Sequence, residues 1–274
     1  MGEQQAITAS QRPWSYEDVA RMLGELGVKR SDVIVAHIRM SALGWVAGGA
    51  QAVVMGLLKS VGDLGTVVMP AHSGANSDPA QWANPPVPEQ WWEPIRQAMP
   101  AFDPLRTPTR GVGSVAELFR SWPGAHRSSH PSCSFSAIGR HAERITSSHR
   151  SLQPFGEDSA LAKAYALDAK VVLIGIGHER NSSMHLGEAR SGAIPATKQG
   201  AAVMIDGVRK WVWYDDLEVD SDRFPEIGAA FEAEGGKLAR GKVCQADSML
   251  LKQRDIVDFT ASYLIRMKES AEGR

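Results

Sequence analysis

The sequence predicts an α/β fold, a single domain with a central mixed sheet flanked by helices. Three observations carry that reading. Uniformly apolar, β-branched runs at residues 33–36, 65–69 and 170–176 are too short for core helices and read as strands covered on both faces. Segments with helical apolar spacing separate the strands, the alternation that builds a parallel sheet. Asp206-Gly207, between apolar runs at 201–205 and 210–214, favours a tight hairpin turn and adds an antiparallel element. With 274 residues and 43% hydrophobic content, one large core is within reach.

Polar residues 1–13 precede the first periodic segment and are expected to form a short disordered tail, leaving residues 14–270 as the domain. Ser15-x-x-Asp18 is a helix-start signal, and Val19, Met22, Leu23 and Leu26 then recur at helical spacing until Gly27. The first strand ends at His37. After a turn bearing Gly44, Gly48 and Gly49, residues 51–59 read as helix. The second strand ends at Pro70-Ala71-His72. Residues 73–108, rich in Pro and Trp, show periodicity only near 90–98 and read as a functional excursion or lid. Residues 113–122 and 159–167 read as helices, the latter feeding the third strand, which ends at Gly177-His178. Helices near 224–234 and 252–267 close the chain.

Composition removes several functions. Lys and Arg number 30 against 31 Asp and Glu, with no clustered basic stretch, so the electrostatic footprint of nucleic-acid binding is missing. Residues 1–11 have neither a basic nor an apolar leader region, and no run of eighteen apolar residues occurs, so neither export nor a membrane span is expected. Cys133 and Cys244 are too few for a disulfide framework and lack paired zinc spacing, which suits a cytoplasmic location. Monomer and homodimer are equally open.

Ligands in α/β sheets bind beyond the carboxyl ends of the strands, where His37, His72 and His178 would converge. Each taken alone reads as a strand cap, and three together point to a site. The densest constellation runs from Gly177-His178-Glu179-Arg180-Asn181 through His185 and Glu188, turning from a strand into a helix. If the helix starts near Asn181 or Ser182, His185 and Glu188 share one face, so the carboxylate can fix the imidazole tautomer and leave the other nitrogen as a base. An ordinary surface pair is the alternative. His178-Glu179 begins like a zinc-protease motif, but Ser182 stands where its second histidine would be, and no metal is expected.

Two loops suit an anion: Thr107-Pro108-Thr109-Arg110-Gly111-Val112-Gly113-Ser114 before a helix, and residues 41–49 with Arg39 nearby. The run Asp215, Asp216, Glu218, Asp220, Asp222 and Glu226 reads as a solvated surface or as a wall for a polycation. Trp82, Trp91, Trp92, Trp211 and Trp213 suit sugar faces, cations or plain core packing.

Several segments together resemble the aminoglycoside 3-N-acetyltransferase family, across residues 14–268. They are Ser41-Ala42-Leu43-Gly44-Trp45-Val46-Ala47-Gly48-Gly49-Ala50, Met69-Pro70-Ala71, Asn76-Ser77-Asp78-Pro79, Met99-Pro100-Ala101-Phe102-Asp103-Pro104, Thr107-Pro108-Thr109-Arg110-Gly111, Arg127-Ser128-Ser129-His130-Pro131 and the 177–188 block. The resemblance implies acetyl transfer from acetyl-CoA to the 3-amino group of a 2-deoxystreptamine aminoglycoside, on a fold distinct from that of the common N-acetyltransferases. It implies a CoA site formed by Arg39, Ser41, Ala42, Leu43, Gly44, Thr109, Arg110, Gly111, Gly113, Ser114, Ser134 and Phe135. His185 and Glu188 would be the catalytic pair, assisted by His178 and His37. Amino-sugar contacts are expected from His72, Asn76, Asp78, Trp82, Asp103, Asp216 and Glu226. Where the family usually reads His-Ser-Ser-Leu-Ser, this chain has His37-Ile38-Arg39-Met40-Ser41, and where Asp usually follows Gly-His it has Glu179. Arg39 would then replace serine contacts through its charge. Cys133 as an acyl carrier, a serine hydrolase and a non-catalytic amino-sugar binder are the rival readings; Gly-x-Ser-x-Gly, which a hydrolase elbow needs, is absent.

Overall fold

A computed structural model describes residues 3–147 and 153–272. Helices α1 (Glu3–Ala9) and α2 (Tyr16–Leu26) lead into β1 (Val33–Ile38), α3 (Gly49–Val61) and β2 (Thr66–Pro70). The excursion that follows carries α4 (Trp92–Ala98) and ends at α5 (Gly113–Arg120). Next come β3 (His126–Arg127), β4 (Phe135–Gly139), α6 (Ala142–Thr146), α7 (Ala160–Ala166), β5 (Lys170–Ile174) and α8 (Ser183–Ser191). The hairpin β6 (Ala196–Ile205) and β7 (Val208–Leu217), then α9 (Phe224–Ala233), β8 (Leu238–Val243), β9 (Ala246–Lys252) and α10 (Gln253–Glu272), complete the chain.

Ser15 and Asp18 form the reciprocal capping box, and Gly27 closes α2 in the left-handed region at φ 114°. The expected disordered tail needs correction, since residues 3–9 are helical and docked; Met1 and Gly2 lie outside the described residues. Ser10 Oγ accepts the Trp45 N–H at 2.7 Å, and Gln245 Nε2 donates to the Ala9 carbonyl at 2.8 Å. A polar segment lacks the apolar stripe that signals docking, yet here its end supplies capping groups to a loop.

The sheet order is β3-β4-β2-β1-β5-β9-β8. β1 pairs in parallel with β2 and β5; the remaining pairs are antiparallel. β1 is buried along its whole length because alternate residues enter opposite layers, Ile34 and Ala36 one way and Val33 and Val35 the other. Helices α2, α3 and α5 cover the first face, and α6 to α10 the second. The predicted hairpin forms with Asp206 and Gly207 both at positive φ, but as a separate two-stranded sheet. Central mixing comes instead from β3, β4, β8 and β9, none of which showed an apolar run. Buried Ser134 precedes β4 and buried Ser136 interrupts it, and β8 is an edge strand exposed along most of its length.

Gly56 is where α2 and α3 come closest, for a Cβ there would lie 2.6 Å from Val19 Cβ and 2.9 Å from the Tyr16 carbonyl oxygen. We expect Gly56→Ala to cost about 1–3 kcal/mol through overpacking. Urea denaturation monitored by far-UV dichroism reads this directly; an unchanged midpoint would show that the two helices have slack.

Candidate active site

The carboxyl ends of β1, β2 and β5 open into a cleft of about 460 Å³. His37, Arg39, Met40 and Ser41 enter it after β1, His72 after β2, and residues 179–182 after β5. Gly111, Val112 and Gly113, at the start of α5, form the opposite wall, and His185, Ser221 and Phe224 close the floor.

α8 places His185 and Glu188 on one face, as their spacing predicts. His185 Nδ1 lies 2.6 Å from Glu188 Oε2, and Glu188, only 2% exposed, also accepts the Asp220 N–H on Oε1 at 3.1 Å. Both carboxylate oxygens are therefore committed. The imidazole stacks on Phe155 (centroids 4.5 Å apart, planes at 18°) and meets Phe224 at 4.8 Å. With Nδ1 tied and both faces covered, Nε2 is the free nitrogen toward the cleft. α8 reaches this position because Gly187 lets it approach α10, where a Cβ would fall 2.7 Å from the Val257 carbonyl oxygen.

His37 and His72 do converge here. Burial pushes both down to about 3, and each is lowered further by neighbouring histidines, so both are neutral at physiological pH. His37 Nε2 and His72 Nδ1 are buried without a partner, a costly arrangement that a bound ligand can relieve. His178 is different and corrects the expectation of a catalytic role. Its ring turns away from the cleft onto α9, where a Cβ on Gly228 would overlap it, and its Nδ1 sits 3.5 Å from Asn181 Nδ2.

The expected CoA residues divide. Arg39, Ser41, Gly111 and Gly113 line the cleft; Ala42, Leu43, Gly44, Ser114, Ser134 and Phe135 do not. Leu43 is fully buried, and the Ala42 and Leu43 N–H groups already donate to the Arg39 and Met40 carbonyls. Gly44 faces Gln245 and Ser10. Thr109 is spent on Glu117 through N–H and Oγ1, while Arg110 donates from its backbone to the His72 carbonyl and from its side chain to that of Asn84. Ser134 Oγ donates to the Ala71 carbonyl, and buried Phe135 packs edge-on against His72.

The amino-sugar set shrinks similarly. Asp78 is paired with Arg96 at 2.8 Å, Asp103 caps its own turn and holds Arg106, and Glu226 accepts the Tyr263 hydroxyl on the outer side of α9. Asn76 is buried under the Pro131 and Ala202 carbonyls, and Trp82 donates to Ser77 Oγ. Asp216 alone of these carboxylates lies close enough to His185 for their charges to interact, beside Phe155 in a neighbouring hollow. Burial raises its carboxyl to about 6. Phe155, Phe224 and Ser221 were not anticipated: two aromatics in irregular or helix-start positions carry no pattern that distinguishes a ring clamp from core. Among the described residues, no group of His, Cys, Asp and Glu is arranged to hold a metal ion, and no helix is long and apolar enough to cross a membrane.

A model of the family described as aminoglycoside 3-N-acetyltransferase matches residues 35–265. The chain belongs to this family. An SPbeta prophage-derived aminoglycoside N(3')-acetyltransferase-like protein, YokD, of Bacillus subtilis is 40% identical over 92% of this chain and 93% of its own length. The YokD crystal structure superposes with a TM-score of 0.94, covering 97% of this chain and 98% of that one at 37% identity. Aminoglycoside N(3)-acetyltransferase VII of Streptomyces paromomycinus is 34% identical, with 96% of each chain covered. A structure of AAC-IIIb in binary complex with CoASH, 26% identical, matches with a TM-score of 0.81 over 93% of this chain and 98% of that one. The protein is thus an acyltransferase on the 3-N-acetyltransferase fold, distinct from that of the commoner N-acetyltransferases.

In such an acyltransferase the cysteines bear on whether the acyl group passes through the enzyme. Burial pushes both thiols up to about 12, Cys133 with a further contribution from nearby Asp216. His130 Nδ1 accepts the Cys133 backbone N–H at 2.9 Å, which engages the ring with the backbone instead of activating the thiol. A raised thiol pKa means the thiolate is scarce until the pH approaches 12, so at pH 8 about one thiol in 10⁴ is ionised. We expect the native protein to consume almost no thiol-specific disulfide reagent at pH 8, and both equivalents once denatured. Rapid native labelling of one cysteine would reopen a covalent route.

Proposed function

We propose that this enzyme transfers the acetyl group of acetyl-CoA directly to the 3-amino group of a 2-deoxystreptamine aminoglycoside, in the cytoplasm, and so confers resistance. The observation that carries this reading is His185, with Nδ1 fixed by a doubly anchored carboxylate and Nε2 free in a cleft of cosubstrate size. Arg39, Arg180 and the amide-rich start of α5 are the groups that would hold CoA, which supplies the activated acyl group.

An ammonium has no lone pair, so the amine must lose a proton before it attacks. That first proton is lost to solvent; as the neutral amine attacks, Nε2 of His185 accepts a second proton from the nitrogen while the C–N bond forms and the C–S bond breaks, then returns it to the departing thiolate, leaving the amide and the CoA thiol. Glu188 steadies the imidazolium between these two transfers. The oxyanion developing on the carbonyl needs donors. Since the Ala42 and Leu43 amides are spent, the unsatisfied N–H groups of the first turn of α5 are our candidates. Asp216, a half-buried carboxylate whose charge reaches His185, would hold an ammonium group of the antibiotic.

His185→Ala should lower kcat by about 10²–10⁴-fold while CoA affinity, read by calorimetry, stays near the parent value. Turnover close to the parent's would end the assignment.

Asp216 yields a linked test. Its carboxyl is raised in the fold, so ionising it destabilises the native state; this cost is absent at low pH and grows as pH rises from about 4 to above 6. Asp216→Asn keeps an acceptor for the Leu217 N–H and should gain about 1–3 kcal/mol of stability at pH 8 but nothing at pH 4, while raising KM for the aminoglycoside. Equal gains at both pH values would contradict burial of a titrating charge as the cause.

A further inference from the structure

Two charged residues that follow strand ends meet in space. Arg39 follows β1 and Glu179 follows β5, and Arg39 Nη2 lies 3.7 Å from Glu179 Oε1 at the mouth of the cleft. Both side chains are partly solvated, at 55% and 39% exposure, and both line the cleft. The backbone holds the two ends in place, for the Arg39 N–H donates to the Ile174 carbonyl and the Gly177 N–H donates to Glu179 Oε1 at 3.0 Å. Arg180 lines the same mouth and makes no ion pair among the described residues. The start of α5, with Gly111 and Gly113 at positive φ, lines the same cleft, and a Cβ on Gly113 would lie 3.7 Å from the Ile38 carbonyl oxygen, beside Arg39. One carboxylate therefore shares the cleft with two guanidiniums and a helix N-terminus. On its own it opposes the binding of any anion there.

We infer that Arg39 and Glu179 form a charge latch that a phosphate of the acyl-carrying nucleotide must open, Arg39 exchanging Glu179 for the phosphate as the cosubstrate enters. The inference rests on the proposed acetyl-CoA-dependent function and concerns affinity and entry, leaving the chemistry to His185. Its physical content is an asymmetry of sign. Glu179 lowers affinity twice, by occupying Arg39 in the free enzyme and by repelling the phosphate, whereas Arg39 raises it. A solvated pair at 3.7 Å is a weak contact, readily exchanged for phosphate oxygens, which offer more charge and better geometry to a guanidinium. A serine in place of Arg39 would offer one hydrogen bond and no charge to neutralise.

The test is direct binding of CoA by calorimetry to the intact protein, at low and moderate salt, with Arg39→Met, Glu179→Gln and the double variant. Glu179→Gln keeps the acceptor for the Gly177 N–H while removing the charge. We expect Arg39→Met to weaken CoA binding about 5- to 20-fold and Glu179→Gln to tighten it about 2- to 5-fold, with both effects shrinking as salt rises. Glu179→Gln in the Arg39→Met background should still tighten binding, but less than in the parent, because only the repulsion remains to be relieved. Pantetheine, which carries the thiol arm without phosphate, should bind all four proteins alike. Weaker binding on Glu179→Gln, or equal sensitivity of pantetheine, overturns the latch. Failure of the parent protein to bind CoA at all would instead overturn the proposed function, so the two failures are distinguishable.

Discussion

One buried guanidinium organises this molecule. Arg127, on the short strand β3, donates to the Ala71, Pro104 and Thr107 carbonyls, to Ser73 Oγ and to Ser134 Oγ, with Phe102 against its face. It has no carboxylate partner among these contacts, and burial pulls it down to about 10, still fully charged at neutral pH. A charge taken from water must find oxygen atoms, and the available ones are the Ala71 carbonyl and the Ser73 hydroxyl on either side of His72 and carbonyls near the end of the long excursion. Satisfying Arg127 therefore folds residues 71–73 and 104–107 around one point. It also fixes where the chain re-enters the cleft, because Ser73 Oγ donates to the Pro108 carbonyl and the Arg110 N–H donates to that of His72. The excursion is thereby a pinned wall carrying Gly111–Gly113 into the site.

This constraint explains what could be read from the sequence and what could not. β1, β2, β5, the capped α2, the hairpin turn and the His185–Glu188 pair all rest on local rules: apolar runs, helix-start residues, paired positive-φ positions and three-residue spacing. They emerged where expected. β3 and β4 rest on Arg127 and on buried serines, which locally look like loop. Docking of α1 depends on Ser10 and Gln245 meeting 235 positions apart, a fact no window of sequence contains. The binding residues fared according to how they were inferred. Arg39, Ser41, Gly111 and Gly113 reached the cleft because turns at strand ends face it. Ser134 and Phe135 came from the resemblance by position, and both are buried, where Ser134 Oγ accepts from Arg127 and Phe135 packs against His72. Asp78, Asp103 and Glu226 were chosen for charge, and charge alone does not reveal an internal partner such as Arg96, Arg106 or Tyr263.

Around the base, burial does electrostatic work. An enzyme that brings a nucleotide thioester and a polycation to the same atom needs separated regions of opposite sign with little fixed charge between them. Here Arg39 and Arg180 stand at the mouth and Asp216 lies beyond Phe155. His37 and His72, between them, are held neutral by desolvation. Were they cationic, each would repel the incoming ammonium groups and hold His185 back from accepting a further proton. Their unpartnered nitrogens offer hydrogen bonds to a ligand without adding charge to the cleft.

The same logic bears on Glu188. Two bonds hold it, one from the base and one from the Asp220 N–H, and Asp220 belongs to the acidic stretch after β7 that leads into Ser221 on the cleft floor. The carboxylate that fixes the imidazole tautomer is thus anchored by backbone of the segment next to Asp216, the residue we assign to the antibiotic. A shift of that segment moves the acceptor of His185 Nδ1 directly, since Glu188 is too buried to exchange the lost bond for water. Orientation of His185 and order in the acidic segment are consequently one structural variable, which is why an acidic run that resembles solvated surface is tied to the His185–Glu188 pair.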